Sequence, residues 1–352
     1  MRVTYMKNNT LIHKINSGKP VFVAEIGLNH NGRLDDALMH VEAAASAGAD
    51  AVKFQTFVPE LMVSRYADSL LKEGREGEPD LGTIEFFSSL VLSGKELEKV
   101  QQCANENKVV FFSAPFDIPS LELLESMDVP VYKVASSEVT NHQLLKRIAL
   151  SGKPVLMSTG MSSIDDVRAA VDVINAQGNN RVVLLHCVSK YPVPLEEVNL
   201  SMIRLLADTF SYPVGFSDHS TGSLAAMSAA AAGARIFEKH FKLDEGYACP
   251  DAEVSLTPAD FSGFVHDIRR VITMMGNVGK DGQRADAETA KGARRSLFSS
   301  APLKAGHVIK AGDIVCKRPG VGIPAYRLEE YTGKTVRVDI PEDYLIRDEY
   351  FK

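Results

Sequence analysis

Ionisable and hydroxyl side chains recur where short apolar segments of this sequence end, and the most distinctive are lysines and serines. Lys53 and Lys133 stand inside β-branched segments, and Ser136, Ser158 and Ser217 end or follow similar segments. A single lysine in such a place is usually the partner of a structural ion pair, because buried strands exclude unpaired charge. Several cations and hydroxyl donors together instead favour a site for a small anion that carries phosphate and carboxylate groups.

Two histidines form a second group with different chemistry. His219 and His240 follow two consecutive apolar segments, and Glu238 and Asp251 lie near His240 in the sequence. Imidazoles at neighbouring strand ends can reach one divalent ion, with the carboxylates as further ligands or as hydrogen-bond partners of the imidazoles. The same spacing is compatible with hydrogen-bonded core histidines or with acid/base groups. His186 fits a structural role better than a metal-binding one.

An alternation of strands and helices must bring these side chains together. Eight short apolar runs, rich in β-branched residues and bounded by turn residues, predict parallel strands that are buried on both faces. They are Val21–Gly27, Ala51–Gln55, Val109–Ser113, Val131–Ala135, Pro154–Ser158, Val182–His186, Pro213–Ser217 and Arg235–Lys239. The amphipathic stretches between and after them include Arg33–Ala47, Gly94–Asn107, Ile164–Ala176, Ser223–Ala232 and Pro258–Met275.

Eight strand-helix units in about 255 residues predict an α/β fold, a closed (β/α)8 TIM barrel. The alternative is a doubly wound open sheet, but no GxGxxG motif follows the first strand. In a barrel the carboxyl ends of all strands share one face, so their polar residues would form one site. The segment Val58–Leu92 follows the second strand on that face, and its glycine- and charge-rich sequence indicates either disorder or a lid over the site.

The sequence changes character near residue 280. We predict a barrel domain at residues 1–280, a linker at 281–292 and a small β-rich domain at 293–352. The strand-like pieces of the small domain are Ser296–Ser300, Leu303–Gly306, Val308–Gly312, Ile314–Arg318 and Thr335–Val338. A domain of about 60 residues is marginal by itself, so we expect it to pack against another surface.

The composition narrows the class of protein. Of the 352 residues 45% are hydrophobic and 24% charged, which excludes disorder over most of the chain. The net charge of −6 provides no basic field for nucleic acid or for an anionic membrane surface. The four cysteines form no CxxC pair, no apolar run has membrane-spanning length, and residues 1–19 lack the hydrophobic block of a signal peptide. We therefore expect a cytoplasmic protein with neither nucleic-acid nor membrane partners.

Seven motifs, in order, resemble those of the sialic acid synthase family, which comprises N-acetylneuraminate, legionaminate and pseudaminate synthases and their spore-coat polysaccharide relatives. The motifs are Ala24–Gly32 (AEIGLNHNG), Val52–Thr56 (VKFQT), Tyr132–Ser137 (YKVASS), Ser158–Met161 (STGM), Leu185–Pro192 (LHCVSKYP), Gly215–His219 (GFSDH) and Phe237–His240 (FEKH). In addition, Arg318–Ile323 (RPGVGI) is similar to the signature of that family's antifreeze-like (SAF) domain. The resemblance extends from about residue 15 to the end of the chain.

The resemblance implies a transferase that condenses phosphoenolpyruvate (PEP) with an N-acetylated hexosamine of the 2-acetamido-mannose type, giving a nine-carbon 2-keto acid and phosphate. Carried over position by position, the PEP-binding residues are Lys53, Gln55, Lys133, Ser136, Ser158 and Ser217. The sugar-binding residues are Glu25, Phe116, Ser189, Tyr191, Asp251 and Arg318. We expect the catalytic groups to be Glu25, Lys53, Glu238 and Tyr191, and the ligands of a Mn²⁺ or Mg²⁺ ion to be His219 and His240.

The resemblance also implies a homodimer in which the SAF domain of one subunit inserts Arg318 into the site of the other. Ser189 stands where some sialic acid synthases have asparagine, and Ala114 where many have threonine. The segment Glu73–Thr83 lacks the asparagine that sialate-making members use against the sugar. These departures favour a 2,4-diacetamido sugar, and therefore a legionaminate-type product.

Three alternatives remain at this point. Another PEP-condensing barrel, of the kind that makes 3-deoxy-octulosonate 8-phosphate, would need more basic residues for a phosphorylated sugar and has no SAF domain. A metal-dependent amidohydrolase would end its first strand in an HxH pair, whereas this chain has Glu25-Ile-Gly27. A non-catalytic sugar-binding or assembly protein would have no reason to keep buried charge at Lys53 and Lys133.

Overall fold

The computed structural model describes residues 13–15, 17–67, 70, 82–276 and 286–352. The chain divides into two compact units, residues 1–275 and 276–352. In the first unit eight parallel strands pair in sequence order and close into a barrel, as predicted. The strands are β1 Val21–Gly27, β2 Ala51–Thr56, β3 Val110–Pro115, β4 Tyr132–Val134, β5 Val155–Ser158, β6 Val182–Cys187, β7 Val214–Asp218 and β8 Ile236–His240.

Helices follow the strands and cover the outside of the barrel. They are α1 Leu34–Ser46, α2 Pro59–Met62, α3 Gly82–Ser88, α4 Gly94–Glu106, α5 Ile118–Ser126, α6 His142–Leu150, α7 Ile164–Asn175, α8 Ser201–Phe210, α9 Leu224–Ala231 and α10 Pro258–Met275. Asp117 caps α5 by accepting from the Ser120 amide, and Ser163 forms a capping box with Asp166 at the start of α7. None of the helices within the described ranges is long and apolar enough to cross a membrane.

The predicted insertion at Val58–Leu92 contains α2 and α3, and its central part lies outside the described residues. Leu90 of this insertion forms a small buried cluster with Leu28 and Phe57. Glu73–Thr83, on which the choice of sugar partly depends, falls almost entirely outside the described ranges. The lid interpretation therefore stays a prediction.

The interior of the barrel follows the twofold alternation of its strands. Residues on one face of each strand pack outward against the helices, and residues on the other face fill the barrel. The inward residues of its amino-terminal half form one apolar cluster, sealed by Ile15 from the segment before β1. That cluster comprises Ile15, Val21, Val23, Ala51, Phe112, Val131, Leu156, Val183, Leu185 and Ile236. Filled layers of this kind are what hold a TIM barrel together.

The second unit is less regular than predicted. It contains helix α11 Ala287–Ala293, which lies partly in the range predicted as a linker, and the antiparallel strands β9 Ser296–Ser299 and β10 Ile314–Lys317. The predicted strands Leu303–Gly306, Val308–Gly312 and Thr335–Val338 were wrong as strands, because each forms only isolated bridges. Gly306 and Gly312 have left-handed backbones, which interrupt a ladder after a few residues.

Candidate active site

One polar cavity of about 360 Å³ opens near the carboxyl ends of the barrel strands. Every predicted site residue of the first unit lines it except Asp251, which lies just behind His240. The lining consists of Glu25, Lys53, Gln55, Phe116, Lys133, Ala135, Ser136, Ser137, Ser158, Met161, Cys187, Ser189, Tyr191, Ser217, His219, Glu238 and His240. Barrel topology thus brings together side chains from all eight strands or the loops that follow them.

A buried charge cluster forms the floor of the cavity. The Lys53 ammonium, on β2, lies 3.2 Å from Glu25 Oε1 on β1 and 3.2 Å from Glu238 Oε1 on β8, so it bridges two carboxylates on neighbouring strands. Glu238 Oε1 also lies 3.6 Å from Lys133 Nζ and accepts a hydrogen bond from Ser217 Oγ at 2.8 Å. Gln55 donates to Glu25 Oε1 at 3.2 Å. Glu238 is therefore the group that holds both lysines in the cavity.

Hydroxyl groups surround the second lysine on one side of the cavity. Lys133 Nζ donates to Ser158 Oγ at 2.7 Å, and Ser136 Oγ accepts from the Gly160 amide at 3.0 Å. A Cβ atom on Gly160 would lie 2.4 Å from Ser189 Oγ and 2.8 Å from Ser136 Oγ. Only glycine allows these two serines to approach the backbone so closely. This side of the cavity offers one ammonium, several hydroxyls and a backbone segment to an anion.

Burial and charge perturb the titration of the cluster in opposite directions. Burial raises the pKa of Glu25 to about 7, with the Lys53 ammonium opposing the shift and Glu238 adding to it. Burial lowers the pKa of Lys133 to about 8, although Glu238 favours its ionised form. Burial also disfavours ionised Glu238, but Lys133 and Lys53 outweigh it and lower the pKa of that carboxyl to about 2. Within this charge cluster, Glu25 and Lys133 are therefore two groups that change charge near neutral pH.

The opposite side of the cavity carries aromatic and imidazole rings. The ring centroids of His219 and His240 lie 5.3 Å apart, and Tyr191 stacks on His219 at 4.1 Å. His219 Nδ1 lies 2.8 Å from the carbonyl oxygen of Val188. A carbonyl oxygen only accepts, so we assign the proton to Nδ1, which leaves Nε2 with a lone pair.

On the side of the cavity that carries the imidazole rings, His240 has a buried nitrogen without a hydrogen-bond partner among the described residues. This nitrogen is Nδ1, and it lies 3.4 Å from Asp251 Oδ2. In addition, the unshared oxygens Glu25 Oε2 and Glu238 Oε2 are buried without a hydrogen bond among the described residues. Unpaired buried polar atoms are costly in a native protein and are typical of a site that awaits a ligand.

Some polar strand residues face away from the cavity. His186 Nε2 donates to the Val198 carbonyl at 2.7 Å, so the structural role predicted for it fits its surroundings. Asp218 and Lys239 form a fully buried ion pair at 3.1 Å on the outward faces of β7 and β8. Arg318 belongs to the second unit, where it is exposed just after β10.

Four lining residues were not among the predicted site residues: Ala135, Ser137, Met161 and Cys187. Cys187 follows Val183 and Leu185 on the inward face of β6, so strict alternation would have identified it instead of His186. The Cys187 thiol lies 3.8 Å from His219 Nδ1. Met161 carries a left-handed backbone with φ 58° at the rim of the cavity, which no sequence pattern announces.

Comparisons with known proteins agree with this geometry. The model of the NeuB family matches residues 40–280, and that of the SAF domain matches residues 294–352. The N,N'-diacetyllegionaminic acid synthase of Campylobacter jejuni is 35% identical over 332 residues, which cover 94% of this chain and 99% of that protein. A pseudaminic acid synthase of Campylobacter jejuni is 31% identical over 344 residues, which cover 97% of this chain and 99% of that protein.

A solved structure extends the comparison. The crystal structure of N-acetylneuraminic acid (sialic acid) synthetase from Leptospira borgpetersenii, in complex with citrate, aligns with a TM-score of 0.69 at 31% identity. The alignment covers 77% of this chain and 90% of that chain. The names of these relatives agree on synthesis of a sugar acid and differ in which one. The chain therefore belongs to the NeuB family of sialic, legionaminic and pseudaminic acid synthases, with a SAF domain at its carboxyl end.

Proposed function

We propose that this protein condenses PEP with an open-chain 2-acetamido-mannose-type sugar, giving a nine-carbon 2-keto sugar acid and inorganic phosphate. The observation that carries the proposal is the charge cluster: two buried lysines beside one permanent carboxylate and one carboxyl with a pKa of about 7. Such a set binds a small polyanion and moves a proton in the same cavity.

The phosphate of PEP fits the side of Lys133, Ser136 and Ser158, which provides a cation and hydroxyl donors. The carboxylate of PEP fits the side of Lys53 and Gln55. The phosphate and carboxylate charges that these groups bind are present before and during the reaction, so their contribution is mainly to hold carbon 2 and carbon 3 of PEP in a fixed position.

In the proposed reaction, carbon 3 of PEP forms a bond to the aldehyde carbon of the sugar, whose oxygen is finally protonated. Water adds to carbon 2 and gives up one proton, which finally protonates the oxygen of the former aldehyde. The bond between carbon 2 and the phosphate oxygen then breaks with its electrons leaving on phosphate, which takes the second proton as carbon 2 becomes a ketone. Glu25 is placed to accept the proton of the water, because Oε1 is held by Gln55 and Lys53 while Oε2 is unpaired in the described structure. Tyr191, next to His219, is placed to contact the sugar at the rim.

His219 and His240 fit a divalent ion such as Mn²⁺ or Mg²⁺. The contact of His219 Nδ1 with the Val188 carbonyl orients that imidazole and, when the ring is neutral, leaves a lone pair on Nε2; His240 Nδ1 is buried without a hydrogen-bond partner among the described residues. No group of three or more His, Cys, Asp or Glu with a metal-binding arrangement occurs within the described ranges, so substrate or water would have to complete the coordination. Such an ion would supply Lewis acidity toward the carbonyl oxygen of the sugar.

The histidine assignment has its own test. His219→Ala should lower the Mn²⁺ affinity, measured by calorimetric titration, together with kcat. The control His186→Ala, on the same end of the barrel but facing outward, should leave the Mn²⁺ affinity unchanged. Equal Mn²⁺ affinity in His219→Ala and the wild type would remove His219 from the ligand set.

Among possible sugars we propose a 2,4-diacetamido hexose and therefore a legionaminate-type product. Ser189 and Ala114 are the departures from sialate-making members that support it, and the relative named N,N'-diacetyllegionaminic acid synthase is 35% identical. The test incubates the protein with PEP, Mn²⁺ and either N-acetylmannosamine or 2,4-diacetamido-2,4,6-trideoxymannose, and follows phosphate release. A higher kcat/KM with the diacetamido sugar is expected, and the reverse order would overturn the choice.

The same assay decides the reaction itself. Phosphate release should require both the sugar and the intact cluster, so Lys53→Ala serves as the inactive control. Absence of sugar-dependent phosphate from every N-acetylated mannose-type sugar would overturn the proposed function.

We further propose that the active form is a homodimer in which Arg318 of each subunit serves the other subunit's site. Mixing Arg318→Ala with Lys53→Ala should then partly restore activity, since heterodimers would contain one site with both residues. Mixtures no more active than the separate variants would contradict this arrangement.

A further inference from the structure

The turn after β1 contains a motif, Leu28-Asn-His-Asn-Gly32, that the proposed reaction does not use. Its asparagine Asn29 is completely buried, unlike most asparagines. The side chain reaches across to the segment that follows β8, more than 200 residues later in the chain. A buried amide whose hydrogen bonds all go to one distant segment fixes the position of that segment.

Asn29 uses both of its amide functions on that segment. Its Nδ2 group donates to the Phe241 carbonyl and to Ser255 Oγ, each at 2.9 Å, and its Oδ1 atom accepts from the Asp251 amide at 3.0 Å. Ser255 Oγ in turn donates to the Asp251 carbonyl at 2.7 Å. The backbone of Asp251 is thereby hydrogen-bonded on both sides: its N–H donates to Asn29, and its C=O accepts from Ser255, which Asn29 also contacts.

These hydrogen bonds involve only the backbone of Asp251, so its carboxylate is free to contact other groups. Its carboxylate is partly exposed, with 22% of the side chain accessible, and Oδ2 lies 3.4 Å from the unpaired Nδ1 of His240. His240 lines the cavity on the side proposed for the sugar. We therefore propose that Asn29 is a positioning residue, which fixes the Asp251 carboxylate beside His240 and so sets the affinity for the sugar without contacting it. This inference rests on the proposed function, because Asp251 and His240 belong to its sugar side.

The chain offers a matched control in the same turn. Asn31 also bonds the segment after β8, donating to Tyr247 Oη at 3.2 Å and to the Ala248 carbonyl at 2.9 Å. These bonds end before Asp251 and lie nearer the surface. A general loss of loop packing would follow from either asparagine, whereas loss of the Asp251 position would follow from Asn29 alone.

The substitution Asn29→Asp keeps the shape of the side chain but replaces the donor with an oxygen that faces the Phe241 carbonyl. Hydrogen exchange of the unligated protein should become faster in the peptide that contains Asp251, and remain unchanged in peptides of β4 and β5. The KM for the sugar should rise about tenfold, as outer-shell substitutions typically do, while the KM for PEP stays within about twofold. Asn31→Asp should alter neither KM.

Two further variants keep the test decisive if Asn29→Asp misfolds, and check that Asn29 acts through Asp251. If Asn29→Asp does not fold, Ser255→Ala removes one of the same contacts and should raise the KM for the sugar by about threefold. In the background of Asp251→Ala, Asn29→Asp should have no additional effect on that KM, because the residue acts through the aspartate.

The outcomes separate the inference from the proposed function. Unchanged exchange around Asp251 in Asn29→Asp, or an equal rise of both KM values, would overturn the positioning role. Faster exchange without any change in the KM for the sugar would reduce Asn29 to a structural residue and would overturn it as well. A wild-type protein that releases no phosphate with any sugar would instead refute the function, while hydrogen exchange still decides whether Asn29 holds Asp251.

Discussion

The two halves of the barrel interior use the same strands and the same face for opposite purposes. In the amino-terminal half the inward residues are apolar and form one buried cluster. Two residues further along each strand, the next inward position is ionisable, polar or small. The replacements along the chain are Val23 to Glu25, Ala51 to Lys53, Val131 to Lys133, Leu156 to Ser158, Leu185 to Cys187 and Ile236 to Glu238.

A distance of one strand repeat, about 7 Å, thus separates residues that stabilise the fold from residues that cost stability. Apolar layers contribute burial free energy, whereas an ion buried in the upper layer loses hydration that its partners replace only in part. The raised pKa of Glu25 and the lowered pKa of Lys133 are signs of this loss. The apolar amino-terminal half therefore supplies the stability that the charged carboxyl-terminal half costs. Substitutions in the first half should mainly lower stability, and substitutions in the second half should mainly lower activity.

The largest effect should come from Lys133→Met. Without the ammonium that holds the phosphate, kcat/KM should fall about a thousandfold, on the order of 4 kcal/mol in transition-state stabilisation. Thermal stability at pH 7 should change little, because methionine removes the cost of burying an ammonium, while Glu238 loses one ion pair but keeps the one with Lys53. Steady-state phosphate release and thermal unfolding measure the two quantities.

The same variant has a pH signature. The pKa of Lys133 lies at about 8 in the folded state, below its ordinary value of 10.5, so the unfolded state binds more protons between these values. Wild-type stability should therefore rise with pH across that window, and Lys133→Met should lack this rise. Lys153→Met, at a partly exposed lysine paired with Asp128, is the control and should change neither activity nor the pH slope. A large loss of stability in Lys133→Met alone would show that the cation holds the fold.

Glu25→Gln should have the second largest effect, a loss of about a hundredfold in kcat/KM from removal of the proton acceptor. In the wild type, kcat/KM should rise with pH through about 7 as Glu25 ionises, and this limb should vanish in the variant. A limb that falls with pH would assign Glu25 the role of an acid instead.

The stability of Glu25→Gln gives an independent measurement. Because its pKa is raised from 4.5 to about 7, Glu25 holds its proton more tightly in the folded state, and wild-type stability falls as pH rises through that interval. The variant keeps a neutral group at every pH, so it should be more stable than the wild type at pH 8. Urea unfolding at pH 5 and pH 8 tests this, and a constant difference between the two proteins at both pH values would contradict the raised pKa.

The barrel could be predicted from the sequence because its signal is repeated. Each strand is a run of β-branched residues, each is followed by an amphipathic helix, and eight repeats leave few topologies. The second unit has no such redundancy. Leu303, Val308 and Val336 sit in strand-like sequences, yet glycine turns and single bridges leave them outside regular strands.

The site was predictable to the extent that polar residues stand out in apolar strands. Lys53, Lys133 and Glu238 are conspicuous in this way, and the structure places them in contact. Distances between strands, the raised pKa of Glu25 and the left-handed backbone of Met161 depend on packing, which no local pattern contains. Cys187 was missed for a different reason, since an apolar-looking residue at an inward position does not stand out.

Strand β6 therefore allows the sharpest comparison of the two halves with the smallest change. Leu185→Ala should lower the free energy of unfolding by about 2–5 kcal/mol, because the surrounding apolar side chains cannot fill the cavity that the lost leucine atoms leave. Cys187→Ala, at the next inward position, should lower it by no more than about 1 kcal/mol, because water from the cavity occupies the space. Urea unfolding measures both values, and kcat/KM per folded molecule should stay within about threefold in each variant, since the thiol makes only a weak contact of 3.8 Å with His219. If Cys187→Ala instead loses activity a hundredfold while remaining folded, the thiol takes part in the chemistry.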